Sequence, residues 1–351
     1  MRIAPVPAWP AAKLAGRRSR IVRFQPFVFD QEQTVQDLRA ASVQFNHRNG
    51  EPAANRAAMD RYIEQAAHRG VQLLVFPECC VSGYWFLRKL ARDQLTALAE
   101  PVPAGPTTSW LRERAARHQL AIGAGFVERD PEGRLFNSYV VALPDGSWHC
   151  HRKLHCFISE HLASGDGYTV FDTPWDCRLG ILICYDNNLV ENARANALLG
   201  ADVLLAPHQT GGCKSGSPEA MGRIDVALWE NRGQNPAALA AEFQGPKGRE
   251  WLLRWLPARA HDNGLFLLFS NGVGRDDDEV RTGNAMILDP YGRTLAESRS
   301  IDSEMITADL VGSLRDRATG TRWLRARRPE LYQSLTQPQG NEVSARQARF
   351  G

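Results

Sequence analysis

Short apolar runs alternate with amphipathic segments along most of the chain. Residues 54–67 and 108–118 carry apolar side chains at helical spacing, whereas residues 71–76 and 121–127 form short, nearly continuous apolar runs. The first pattern predicts helices and the second predicts buried strands. Strands that alternate with helices indicate an α/β fold in which helices cover the faces of a sheet.

Three chemically reactive side chains lie at the ends of such predicted strands. Glu78 ends the segment Gln-Leu-Leu-Val-Phe-Pro-Glu, Lys153 lies within His-Cys-His-Arg-Lys-Leu-His, and Cys184 ends Arg-Leu-Gly-Ile-Leu-Ile-Cys. A helix is predicted over 189–199, so the Cys184 thiol faces the start of a helix, where backbone N–H groups can lower the pKa of a thiol and bind an oxyanion. Taken singly, each residue has a structural alternative: an inert buried cysteine, a capping carboxylate or a solvated lysine.

Together and in this order, the three segments resemble those of the carbon–nitrogen hydrolase (nitrilase) superfamily. The similarity extends over about residues 38–332 and includes the segments that begin at Gly200, Ala258 and Gly283. Three segments in a fixed order are far more specific than any one of them. The resemblance implies a four-layer αββα sandwich of two sheets with helices outside, built as a single catalytic domain.

The resemblance also implies how the chain is divided. The catalytic domain is expected at 38–332, after a basic, disordered extension at 1–37 and before a polar, loose C-terminal tail at 333–351. The segment at about 211–255 is longer than a compact member needs, so we expect an insert that forms a lid or a subunit contact. Family members commonly dimerise, and we expect a homodimer or higher homo-oligomer formed through a sheet-flanking helix and the C-terminal tail.

The resemblance assigns roles to individual residues of this chain. Cys184 is the nucleophile that forms a thioester, and Glu78 is the general base that takes its proton. Lys153 and the backbone N–H of Tyr185 stabilise the negative charge of the tetrahedral intermediate. Glu160 is expected to orient Lys153 or the substrate nitrogen, with a surface carboxylate as the alternative. No metal or organic cofactor is implied.

The sequence is less specific about which type of carbon–nitrogen bond is cleaved. Members that cleave nitriles tend to carry Cys-Trp-Glu at the nucleophile, whereas this chain has Cys-Tyr-Asp from Cys184, closer to the members that cleave amides. Against this, Glu160-His161 and the Ser-Gly-Asp-Gly from Ser164 resemble the nitrilase version of the lysine loop. We therefore expect an amidase acting on a small-molecule amide, with a nitrilase or an N-carbamoyl amide hydrolase as alternatives.

Four residues are expected to line the substrate pocket: Tyr84, Trp85, Asn188 and His208. Branches that act on substrates with a free carboxylate often place arginines directly after Cys-x-Asp, whereas this chain has Asn187 and Asn188 there. A neutral amide does not replace a bidentate arginine. The sequence therefore favours a substrate whose far end is uncharged.

Two other classes of function remain as weaker alternatives. His149, Cys150, His151, His155 and Cys156 could bind a metal, although their spacing matches no zinc finger and a lysine shares the same predicted strand face. An inactive binding scaffold is the second alternative, but all three catalytic positions are retained. We therefore expect neither.

Composition limits the partners. Six basic residues and no acidic residue precede Asp30, whereas the rest of the chain has 36 basic and 39 acidic residues. The net charge of +3 therefore comes from the first segment and does not indicate nucleic-acid binding. No apolar stretch reaches the roughly 18 residues of a membrane span. The seven cysteines are an odd number without disulfide-scaffold spacing, and a catalytic thiol favours a reducing compartment, so we expect a cytoplasmic protein.

Overall fold

The computed structural model describes residues 35–351, and the expectation of a disordered extension falls largely outside them. Its strands belong to one branched sheet. They are β1 Leu38–Phe45, β2 Leu73–Val75, β3 Ala121–Arg129, β4 Leu135–Ala142, β5 Trp148–Arg152, β6 Leu162–Ala163, β7 Val170–Asp172, β8 Arg178–Ile181, β9 Val203–His208, β10 Phe266–Asp276, β11 Glu279–Thr282, β12 Met286–Leu288, β13 Thr294–Glu297 and β14 Glu304–Leu310.

Helices fill most of the connections between these strands. They are α1 Pro52–His68, α2 Arg92–Leu98, α3 Pro106–His118, α4 Val190–Leu198, α5 Val226–Glu230, α6 Pro236–Gln244, α7 Arg249–Leu253, α8 Leu256–His261, α9 Ser313–Asp316, α10 Thr319–Arg325 and α11 Ala345–Phe350. The helices predicted at 54–67, 108–118 and 189–199 correspond to α1, α3 and α4. The strands predicted at 71–76 and 121–127 correspond to β2 and β3. None of the helices between residues 35 and 351 has the length and apolar character that a membrane crossing requires.

The main path of the sheet runs in the order β5-β4-β3-β2-β1-β10-β9-β8-β7. Its six central strands, from β3 to β8, pair in parallel, and the outer pairs are antiparallel. The two halves of the path meet between β1 and β10, where only Gln44 with Asn271 and Phe45 with Gly272 are in register. The catalytic segments after β2, β5 and β8 therefore come from different halves of the sheet.

Three hydrophobic cores show that the two halves face each other with helices outside. Along β2, Leu73 packs into a core that it shares with Leu205 of β9, whereas its neighbour Leu74 packs outward against α1 and α3. Along β9, Leu204 points away from the shared core and packs against α4 and α8. Successive strand residues face opposite sides of a sheet. This alternation gives the αββα sandwich that the sequence resemblance implies.

The turn that follows β2 is held closely against β3. Gly125 of β3 faces this turn, and a Cβ atom on it would lie 2.4 Å from the backbone nitrogen of Cys79. A glycine at this point therefore lets the backbone that carries Glu78 pack directly on the neighbouring strand.

Residues 211–255 and the C-terminal tail both pack near the carboxyl ends of the central strands. In the first segment, Trp229, Leu239 and Phe243 form a small core with Val273 and Val280 of β10 and β11. In the tail, α11 places the ring of Phe350 6.4 Å from that of Trp85 and 6.0 Å from that of Phe157. The tail is polar, but its last turn is packed on the domain because it ends in this aromatic residue.

Candidate active site

Glu78, Lys153 and Cys184 meet in a buried space at the ends of β2, β5 and β8. Glu78 follows β2 by three residues, Lys153 follows β5 directly, and Cys184 begins a 3₁₀ turn, Cys184–Asn188, shortly after β8. The Lys153 Nζ atom lies 2.6 Å from Glu78 Oε1, and both side chains are almost fully buried. The structure therefore brings together the three side chains that the sequence predicted as catalytic.

Asn137 is a fourth member of this cluster that sequence reasoning missed. Its Nδ2 atom donates to Glu78 Oε1 at 2.6 Å, the oxygen that also accepts from Lys153. The other oxygen, Oε2, is buried and has no hydrogen-bond partner among residues 35–351. The available signal was the polar pair Asn137 and Ser138 within the mainly apolar strand β4. The two oxygens of Glu78 thus differ: one is fixed by two donors and the other is free.

Cys184 has an unusual backbone conformation and a protonated thiol. Its φ angle is +51°, in the left-handed region that residues with a side chain seldom adopt. Strained backbone of this kind concentrates at functional sites. Burial raises the pKa of the Cys184 thiol to about 12, with the Glu78 carboxylate adding to the shift and Lys153 opposing it. At neutral pH the resting side chain is therefore a thiol, and attack requires a base to remove its proton.

Lys153 keeps its positive charge despite complete burial. Burial is the largest single effect and opposes the charged form, but Glu78 together with Tyr84, Cys184 and Asp186 outweighs it, so the pKa of Lys153 lies well above its ordinary value. The ammonium also lies 4.9 Å from the centre of the Phe157 ring and 5.6 Å from that of Tyr84. Aromatic faces attract a cation at these distances. The site thus holds a fixed positive charge beside the thiol.

Asp186 joins the loop that carries Lys153 to the turn that carries Cys184. Its buried carboxylate accepts from the backbone N–H of Leu154 at 3.0 Å and of His155 at 2.8 Å. The ring Nδ1 of His155 lies 2.9 Å from the same carboxylate. Because Asp186 follows Cys184 by two residues, these bonds set the distance between the ammonium and the thiol.

A cavity of about 40 Å³ opens onto Cys184. Of the residues expected to form the site, Tyr84, Trp85, Tyr185 and Asn188 line it. The other lining residues come from the loop after β5, the residues that follow β9, the 211–255 segment, β11 and α11. They are Phe157, Gln209, Thr210, Cys213, Met221, Trp251, Arg281 and Arg349.

Most of these additional residues gave no signal in the sequence, because distant parts of the chain bring them to the site. Gln209 directly follows β9, and its Nε2 donates to the backbone oxygen of Glu78 at 2.8 Å. Met221 and Trp251 show that the 211–255 segment contributes to the pocket wall. Arg281 and Arg349 add two guanidinium groups to the pocket, whose substrate was expected to have an uncharged far end.

His208 is the one expected pocket residue that the structure places elsewhere. It is buried behind the pocket, with its Nε2 atom 3.1 Å from Asn187 Nδ2 and its ring 4.7 Å from that of Phe269. Burial, with a smaller contribution from Lys153, lowers the pKa of His208 well below its ordinary value, so the ring is neutral. The expectation fails because His208 is still within β9 and faces the layer of helices, whereas the next two residues reach the cavity.

Glu160 also differs from its expected position. Its side chain is exposed and makes no hydrogen bond or ion pair with the part of the chain that the structure describes. The loop after Lys153 turns outward before it reaches Glu160. Asn137, from β4, occupies the place beside Glu78 and Lys153 instead.

The histidine-rich segment around β5 is used for packing. The ring of His149 stacks on Phe171 at 3.8 Å, and His151 is buried beside Thr169. His155 bonds to Asp186, as described above. Within residues 35–351, no group of three or more His, Cys, Asp or Glu side chains is arranged to hold a metal ion.

Known proteins resemble this chain in sequence and in structure. The family described as carbon-nitrogen hydrolase matches residues 39–318. An (R)-stereoselective amidase from a Pseudomonas species is 33% identical over 265 residues, which cover 74% of this chain and 81% of the relative. A nitrilase from Pyrococcus abyssi is 28% identical over 276 residues, which cover 78% and 89%.

Among solved structures, a variant of an amidase of the nitrilase superfamily from Nesterenkonia AN1 has the same fold. It matches with a TM-score of 0.61 at 22% identity, covering 85% of this chain and 97% of that one. The family match covers most of the chain and includes all three residues of the buried cluster. The chain therefore belongs to the carbon–nitrogen hydrolase (nitrilase) family and is an enzyme that hydrolyses carbon–nitrogen bonds.

Proposed function

We propose that this enzyme is an amidase that converts an amide into a carboxylic acid and ammonia through a thioester on Cys184. The observation that carries the proposal is the asymmetry of Glu78. Lys153 and Asn137 hold one carboxylate oxygen, and the other has no hydrogen-bond partner in the described part of the chain and is free to exchange a proton. A carboxylate held in this way can act as a base without turning away from the thiol.

The first half of the proposed reaction forms the thioester. Glu78 Oε2 takes the proton of Cys184 as the sulfur attacks the amide carbon. Lys153 Nζ and the N–H of Tyr185 stabilise the oxyanion of the tetrahedral intermediate. The C–N bond then breaks, Glu78 returns its proton to the nitrogen, and ammonia leaves.

The second half hydrolyses the thioester. Glu78 takes a proton from a water molecule as the oxygen attacks the thioester carbon, and the C–S bond breaks after a second tetrahedral intermediate. The proton returns to the sulfur, and the acid is released. Glu160 has no part in this scheme because its side chain is exposed.

The preference for an amide is supported by the Cys-Tyr-Asp sequence and by the similarity to the Pseudomonas amidase. The similarity to a Pyrococcus nitrilase keeps nitrile hydrolysis as the second candidate. N-carbamoyl compounds remain a third class of substrate from the sequence.

The experiment that tests the proposal is ammonia release from a panel of aliphatic amides, aromatic amides, N-carbamoyl compounds and nitriles. We expect release from amides by the native enzyme and none by Cys184→Ala. Release from nitriles alone would assign the nitrilase activity instead. Equal release by the variant would disprove a thiol mechanism.

A homodimer and a reducing, cytoplasmic location belong to the same proposal. Several large apolar side chains in the C-terminal part are exposed, among them Trp323, Leu331, Leu335 and Val343. Tyr168, Val190 and Leu295 are also exposed, but the concentration of such side chains in the C-terminal part favours an interface between subunits there. All seven cysteines are free, which suits a reducing compartment. Size-exclusion chromatography with light scattering checks the dimer, and a monomeric mass at micromolar concentration would contradict it.

A further inference from the structure

The C-terminal helix α11 forms part of the wall of the active site. Arg349 lines the small cavity at Cys184 and also a second, outer cavity of about 330 Å³. Trp85 lines both cavities as well, so the two spaces adjoin along this pair of residues. The outer cavity is large enough for the far end of a substrate whose amide lies at Cys184.

Few contacts fix α11 in this position. The Arg346 Nη1 atom donates to the backbone oxygen of Phe157 at 3.0 Å, and the Phe350 ring packs between Trp85 and Phe157. None of the helix residues is fully buried. Substitutions in α11 should therefore leave the core undisturbed, so the contribution of this helix to the site can be tested directly.

The outer cavity is lined mainly by positive charge. Its charged side chains are Lys214, Arg223, Arg349 and Glu279. Arg223 lies 3.4 Å from an oxygen of Asp278 and 3.6 Å from Glu279. Lys214 and Arg349 form no ion pair with any residue between 35 and 351. Glu279, the one acidic side chain among the described lining residues, is already paired with Arg223 and Arg281, so Lys214 and Arg349 face the half-enclosed space without an acidic partner of their own.

A fully buried arginine lies in the wall of the inner cavity. Arg281 is 1% exposed, and its Nη1 atom lies 2.9 Å from Glu279, whose charge it balances. Its Nη2 atom is buried and has no hydrogen-bond partner within the range that the structure describes. Leaving such a donor unpaired is unfavourable, so an acceptor from the substrate would complete its bonding.

We infer that the outer cavity binds a carboxylate at the far end of the substrate and that Arg349 determines this specificity. The inference rests on the proposed amidase function. It revises the expectation of an uncharged substrate end, which was based on Asn187 and Asn188. Asn187 is buried, with its side chain bonded to the backbone oxygen of Leu182. The positive charge comes instead from the C-terminal helix, far away in the sequence.

The test compares substrates that differ only in charge. The monoamides of glutaric and adipic acid each end in a carboxylate, and the corresponding diamides end in a neutral group of nearly the same shape. We expect the native enzyme to favour the monoamides at least tenfold in kcat/KM, after correction for the two equivalent ends of each diamide. Arg349→Gln should reduce this ratio about ten- to a hundredfold, mainly through KM, because a charge-assisted hydrogen bond is lost.

Two further variants separate charge from structure. Arg349→Lys keeps the positive charge and should retain part of the preference for monoamide over diamide in kcat/KM. Arg328→Gln removes a positive charge elsewhere in the C-terminal part, where Arg328 is exposed and pairs with Glu330, and should leave the ratio at the native value. Equal reduction of kcat/KM for both substrates by Arg349→Gln would show that Arg349 only holds the helix, and would overturn the inference.

The outcomes also distinguish this inference from the proposed function. Hydrolysis of both substrate types with a ratio near one overturns the carboxylate site and leaves the amidase activity intact. If neither type is hydrolysed, the amidase proposal fails for these compounds, and calorimetric binding to Cys184→Ala decides the inference. Tighter binding of the monoamide that is lost in the Arg349→Gln double variant supports it, and equal binding of monoamide and diamide overturns it.

Discussion

At the scale of single residues, the proposed chemistry depends on a carboxylate that is held at one oxygen only. Glu78 must accept a proton from a thiol whose pKa burial raises to about 12, and it must release that proton to the leaving nitrogen. Lys153 alone would leave the carboxylate able to rotate about its last bond. A second donor, from Asn137, fixes its plane.

Asn137 is therefore predicted to act as a positioning residue. Asn137→Ala should lower kcat about tenfold with a much smaller change in KM, because one hydrogen bond to a charged group is worth about 1.5 kcal/mol or more. Steady-state kinetics on the best amide of the panel measures this split.

The control for this prediction is Asn137→Asp, which keeps the size of the side chain. It replaces the donor with a second carboxylate beside Glu78, so kcat should fall further than in the alanine variant. Activity that is unchanged in both variants would show that Lys153 alone positions Glu78.

At the scale of elements, the site depends on two turns being held together. The turn after β8 carries Cys184 at a left-handed backbone position, and the loop after β5 carries Lys153. Asp186 spans the two with bonds to two backbone N–H groups and one ring nitrogen. The distance between the Lys153 ammonium and the Cys184 thiol therefore depends on the bonds of Asp186.

Asp186→Ala is predicted to damage both stability and activity. It leaves the partly buried N–H groups of Leu154 and His155 without their acceptor, so the free energy of unfolding should fall by about 2 kcal/mol. Displacement of Lys153 should reduce kcat more than tenfold. Urea unfolding and kinetics on the folded variant measure the two effects.

Asp186→Asn is the matched variant, because its side-chain oxygen can still accept one of these bonds. Its losses should lie between those of the native enzyme and Asp186→Ala. A fully active alanine variant would show that the β5 loop holds its own position.

At the scale of the whole molecule, several cysteines are buried in protonated form. Burial is the main cause of a raised pKa in three of them. The pKa is about 12 for Cys80 and about 11 for Cys156 and Cys177. Below the ordinary thiol pKa of 9.0, both folded and unfolded thiols are protonated. Above it, the unfolded thiols ionise first, so their contribution to stability is lost as the pH rises toward 11–12.

The free energy of unfolding is therefore predicted to fall between pH 8 and pH 10. The loss should be about 1.4 kcal/mol per buried thiol at pH 10, which is one unit above the unfolded pKa. Urea unfolding under reducing conditions measures it, and Cys80→Ala should show a shallower decline than the native protein. A native stability that stays level or rises over this range would contradict the prediction.

The sequence predicted the parts of the site that follow from local pattern. Glu78 and Cys184 follow apolar runs and Lys153 follows a short strand, so the sequence could place all three at strand ends. Their meeting depends on how the two halves of the sheet face each other. Arg281 and Arg349 could not be predicted, because their approach depends on how β11 and α11 pack in three dimensions.

His208 and Glu160 were misplaced for related reasons. Residues that alternate along a strand face opposite sides, and a shift of one position separates His208 from the pocket. For Glu160, spacing along a loop does not determine the path of that loop.

The central claim is that Cys184 carries the acyl group, and mass spectrometry of the enzyme during turnover tests it most directly. Acid quenching with a good amide substrate should give protein whose mass is increased by the acyl group with loss of one hydrogen. Peptide mapping should place this mass on Cys184, and Cys184→Ala should show neither the adduct nor hydrolysis. Rapid ammonia release by that variant, or an adduct on another residue, would contradict the account.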